Sequence, residues 1–213
     1  MGMHHGLIAA TATQDRLLAG LRRFAGDFVL GEAASSPYDV GLATDDDGWV
    51  LAIGEREGRA FVLDTSMVLS TAADMIVSLS AELGVVVGGG AETVSGSYWL
   101  TAARDGRLLR FVLVQHAGMT RGMAIGDDLP SEADHPIQDL DGDGIFAALA
   151  YLDLDATDWL TDGPAAALRY DASRFPEDGP IARIQSEHYE RYKRPEGEWL
   201  SEIRAVVRET PPE

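Results

Sequence analysis

The segment DLDGDGI, residues 139–145, places Asp139, Asp141 and Asp143 at alternate positions and follows the third with glycine. Alternating carboxylates of this kind open a calcium loop. In that loop positions 1, 3 and 5 give oxygen ligands, glycine makes the turn at 6, a carbonyl follows at 7 and a bidentate glutamate closes the shell at about position 12. Gly144 and the Ile145 carbonyl continue the match, but the twelfth position is Ala150. Calcium takes roughly six to eight oxygens, and about four from the loop are too few. Pro136 would also interrupt the helix that should enter the loop. An EF-hand is therefore excluded. Two expectations remain for Asp139, Asp141 and Asp143. In one, Asp143 caps a helix over 144–152 and the other two sit near the positive end of its dipole. In the other, the three hold a divalent cation such as calcium, completed by Asp134, Asp153 or a distant carboxylate.

Other candidate chemistry is thinner. Gly88–Gly90 has Thr93 where a dinucleotide fingerprint needs its third glycine, and the strand-like TVSGSYW follows it instead of a helix. A bulge or tight bend in a strand is the expectation there. Ser95 and Ser97 lack the G-x-S-x-G frame of a nucleophile elbow. His116 at a strand end could serve a hydrolase as base, but nothing in the sequence ties it to a serine. His116, His135 and His188 are too far apart for the usual metal spacings. With no cysteine, thiolate metal sites, disulfides and cysteine nucleophiles are all excluded. No cofactor is called for, and the missing catalytic constellation favours a non-enzymatic role.

Charge gives the stronger signal. The chain carries 35 acidic and 17 basic residues, and residues 122–168 hold 11 acids without one lysine or arginine. A field of that sign repels nucleic acid and anionic membranes and attracts cations or basic proteins. No apolar run reaches the roughly 18 residues of a membrane span. Gly6–Ala10 is short for a signal peptide and has no basic residue before it. A soluble, cytoplasmic protein is expected. One lysine, Lys193, and no asparagine among 213 residues fit a GC-rich bacterial genome.

The elements that would position these residues follow from periodicity. Thr11–Ala25 and Thr71–Leu83 carry apolar stripes at helical spacing, the first with Thr11 or Thr13 as N-cap. Strands are expected at Phe28–Leu30, Tyr38–Ala43, Trp49–Gly54, Arg59–Asp64, Val85–Val87, Ser97–Arg104, Arg107–Gln115 and Met119–Ile125. Asp47–Gly48 and Asp105–Gly106 are two-residue hairpin signals. A two-residue turn at 105–106 would pair Ala102 with Leu109 and Leu100 with Phe111, leaving Arg110 on a second, mixed face. Helix, strand and Asp–Gly hairpin recur at nearly constant spacing, suggesting repeats over 11–64 and 71–126. Thr157–Leu160 reads as a turn and Ile181–Tyr192 as a helix, while Trp199–Val207 fits strand or helix. The expected fold is α+β: a mainly antiparallel sheet over 1–126 with helices on one face, and an irregular or helical region over 127–213 packed on it as one unit. The expected function is binding of a basic protein partner through the 127–162 acids, as immunity or adaptor proteins do.

Overall fold

A computed structural model describes residues 4–40, 49–115, 121–136 and 141–170. Their strands form one sheet: β1 (His4–Ala10), β2 (Val29–Ala34), β3 (Trp49–Arg56), β4 (Arg59–Asp64), β5 (Val85–Glu92), β6 (Ser97–Arg104), β7 (Arg107–Gln115), β8 (Arg121–Gly126) and β9 (Ala165–Tyr170). The order across the sheet is β2-β9-β3-β4-β1-β5-β6-β7-β8, and every neighbouring pair is antiparallel. The helices are α1 (Gln14–Ala25), α2 (Val68–Thr71), α3 (Ala73–Leu83), α4 (Gly142–Tyr151) and α5 (Thr157–Asp162).

The fold is α+β and mostly sheet, as expected, but the helices do not share one face. Leu7 and Ala9 of β1 pack with Ile145, Leu149 and Trp159 of α4 and α5, while Ile8 and Ala10 pack with Leu17, Leu21, Ile76 and Leu79 of α1 and α3. Successive strand residues point to opposite faces, so a central strand covered on both sides must be apolar throughout. GLIAA in β1 and VVV in β5 meet that condition.

The Gly88–Gly90 run is neither bulged nor bent. It lies in β5 in continuous register with β1 and β6. Glycine is required by close approach from both sides: a Cβ on Gly88 would lie 2.7 Å from the Ser70 carbonyl oxygen, and one on Gly90 2.5 Å from the Trp99 ring.

Several local expectations shift. Pro37–Val40 is a 3-10 turn where a strand was anticipated, and Asp47–Gly48 lies outside the described residues. The β3–β4 hairpin turns at Glu57–Gly58, both at positive φ. Asp105 and Gly106 do make the β6–β7 turn, with φ of 51° and 76°. Arg104 pairs with Arg107, but the register then shifts, so that Ala102 faces Arg110 and Leu100 faces Val112. That bulge moves Phe111 onto the face of Thr101 and puts Arg110 on the face of Leu100 and Ala102, which α4 and α5 cover. The two expected repeats also take unequal places: β5 pairs directly with the hairpin strand β6, whereas β9 separates β2 from β3. Thr13 holds the N-cap position of α1 without a side-chain bond; the Gln14 N–H donates instead to Glu55 Oε2 of β3 at 2.8 Å. Residues 157–162 form a helix, longer than the expected turn, and β9 arises in a stretch whose sequence carried no strand signal. The readings at 181–192 and 199–207 lie outside the described residues.

Candidate functional site

The acidic segment meets the sheet first through α4. Asp141, not Asp143, is its N-cap: the Gly144 N–H donates to Asp141 Oδ1 at 2.9 Å. Asp143 sits in the first helical turn, where the dipole favours a carboxylate. Asp139 lies outside the described residues. Among the described residues no group of three histidines or acids is placed to hold a metal. Asp153 stands beyond the other end of α4, a helix of 10 residues and so about 15 Å long, too far away to complete a site with Asp141. The α4 helix closes with the Leu154 N–H donating to the Leu149 carbonyl and Asp153 in the left-handed region (φ 63°), a conformation aspartate tolerates.

That turn sends the Asp153 carboxylate to Arg59 Nη2, 2.5 Å away. Among the described residues, Arg59 joins Arg56 and Arg110 in pairing the sheet with the acidic segment. Arg56 on β3 reaches Asp158 at 3.2 Å and Asp162 at 3.5 Å on α5. A buried aromatic contact seats α5 there: Trp159 stacks on Phe61 at 5.3 Å, and its Nε1 donates to the Pro164 carbonyl oxygen. The third arginine is Arg110 on β7, whose side chain is 3% exposed. Its Nε and Nη2 donate to the two carboxylate oxygens of Glu132, its Nη1 donates to the Gly126 carbonyl oxygen at 2.8 Å, and Nη2 also pairs with Asp128 at 2.6 Å. Glu132 Oε1 accepts the Leu129 N–H as well. Both charges of the pair are thereby hydrogen-bonded, which a buried ion pair requires.

Pairing leaves most of the acidic surface open. Asp128, Asp153, Asp158 and Asp162 remain about 80% exposed despite their arginines. Asp127, Asp134, Asp141, Asp143 and Asp155 are exposed too. Hydrogen bonds to Thr157 at the start of α5 hold the Asp155 carboxyl below its ordinary range. Between the ends of β6–β8 and the end of α4 lies a cleft of about 700 Å³. Leu108, Leu109 and Leu152 give it apolar surface, Asp127 and Asp128 bring carboxylates, and Tyr151, 53% exposed, stands at its rim.

One acid missed by sequence reasoning lies elsewhere. Asp64, at the end of β4, is fully buried and faces Gly6 across the ladder. It accepts the Ser66 hydroxyl at 2.5 Å and the Ser70 N–H at 2.7 Å, which fixes the chain as it enters α2. Burial pushes its carboxyl above the ordinary range, against the pull of these hydrogen bonds. The signal was the DTS triplet after an apolar strand, an aspartate that can bond the backbone just ahead of it. His5 is half-buried against the edge of the Tyr38 ring, and burial followed by the neighbouring His4 lowers its pKa. His116 and His188 lie outside the described residues.

No family model, curated protein or solved structure matches this chain. Its function therefore has to be read from its own surface. Among the described residues no helix is long and apolar enough to cross a membrane.

Proposed function

We propose that the protein is a non-enzymatic binding module that takes a basic protein partner on the acidic face formed by residues 127–162, as immunity and adaptor proteins do. The supporting observation is that, among the described residues, this face displays nine exposed aspartates. Arg56, Arg59 and Arg110 pair with four of them, yet these aspartates keep most of their carboxylate surface in solvent. Carboxylates already held in place lose little conformational entropy on binding, and a field of one sign speeds encounter with a partner of the other. The same field disfavours nucleic acid and anionic lipid. A cytoplasmic bacterial setting belongs to this proposal and fits the absence of cysteine.

Tagged protein passed over an extract of the source cells should retain a basic protein at low salt and release it progressively as salt rises. Retention that ignores salt, or no retention at all, would overturn the reading.

A further inference from the structure

We infer that the cleft between the end of β8 and the end of α4 anchors that partner by receiving one arginine or lysine side chain. The inference rests on the acidic face being the binding surface. Its own grounds are the shape and lining of the cleft, which set it apart from the rest of that face. A volume of about 700 Å³ falls in the range of ligand sites. The lining is amphipathic, whereas the smaller pocket of about 230 Å³ lined by Asp153, Asp155 and Asp158 is also lined by Arg56 and Arg59, which already pair with Asp158 and Asp153. A long basic side chain carries an aliphatic stem and a charged head. Leu108, Leu109 and Leu152 offer apolar surface for the stem, and Asp127 and Asp128 offer carboxylates for the head. Tyr151 presents an exposed ring beside them, and an aromatic face attracts a guanidinium or ammonium.

The cleft is also preorganised. Arg110 holds the Gly126 carbonyl and the Asp128 carboxylate, so the segment that carries both aspartates is fixed before any partner arrives. Arg104 lines the cleft as well. Its charge opposes a run of cations and favours a single basic side chain with a carboxylate or neutral group beside it.

The test uses a short fluorescein-labelled peptide of alternating arginine and leucine, followed by anisotropy against the full chain, with melting curves to verify the fold of each variant. Tyr151→Ala and Asp127→Asn should each weaken binding about fivefold. Asp143→Asn, with the same charge change on α4 away from the cleft, should change it by less than about twofold. Arg104→Gln should tighten binding, while Arg23→Gln on α1, equal in charge change, should leave it alone. If matched variants move affinity equally, binding follows net charge: the cleft inference falls and the acidic-face reading stands. If the wild-type protein does not bind the peptide, or binds it without salt dependence, both fall.

Discussion

The acidic segment is tied to the sheet at two places that look alike on a list of charges and differ in physics. At one, Arg110 is 3% exposed and Glu132 10%, and the three guanidinium nitrogens and both carboxylate oxygens of the pair are hydrogen-bonded. At the other, Arg56 and Arg59 reach aspartates that are 77–80% exposed. Exposed pairs typically contribute about 0–1 kcal/mol, because water and salt screen them and two long side chains must be ordered. Removing one member of a buried pair costs about 3–5 kcal/mol, since it leaves the other charge without solvent or partner. Arg110 should therefore govern whether residues 127–132 stay on the sheet. At the α5 end the buried Trp159–Phe61 stack should matter more than the arginines.

The largest test of that contrast is Arg110→Met, expected to cost about 3–5 kcal/mol in urea unfolding. Adding Glu132→Gln should restore part of the loss, because the stranded carboxylate is then gone; a double variant no better than the single would refute the buried-pair account. Asp64 extends the contrast to a buried acid that, among the described residues, has no arginine paired with it. Its raised folded-state pKa means that its contribution is complete below about 3.8, the ordinary value, and is lost as pH rises through the folded value. Melting temperature measured against pH should show Asp64→Asn gaining on the wild type over that rise; parallel curves would show that burial does not shift this group.

Asp141→Ala should cost about 1 kcal/mol as a lost N-cap, equally in calcium and in EDTA. A cost that depends on calcium would instead assign Asp141 to a cation site. The smallest effects belong to Arg56→Gln and Arg59→Gln, each within about 1 kcal/mol and shrinking with added salt. A loss as large as that of Arg110→Met would erase the distinction between the two anchors.

Much of this was legible where a local signal has a local cause. Asp105–Gly106 and the apolar runs beside it locate β6 and β7 to the residue, because turn conformation is a property of those two residues. The register beyond the turn was not legible: the slip between Ala102 and Ala103 depends on the bulge opposite, and one residue of slip exchanged the faces of Phe111 and Arg110. The charge asymmetry was plain in the sequence, but its internal answer was not. Arg56 and Arg59 lie about a hundred residues from the aspartates they hold, and only folding brings them together. The cleft likewise joins β6, β7, β8 and α4, a juxtaposition no window of sequence contains. Two-sided burial was missed, and with it the strand β1, although GLIAA and VVV carry its mark: both are too uniformly apolar for a strand with one wet face.

The strand β9 has a consequence for the order of assembly. It fills the slot between β2 and β3, pairing Arg169 with Val29 and with Val50, so this part of the sheet closes through contacts well over a hundred residues apart. Non-local pairing of that kind slows folding, because long loops must close before the contacts that stabilise them can form. Until residues 165–170 leave the ribosome, β2 has no neighbour in the sheet and β3 presents an open edge. Open edges can pair with other chains. During synthesis the half of the molecule made first is thus the half that waits longest for its missing strand.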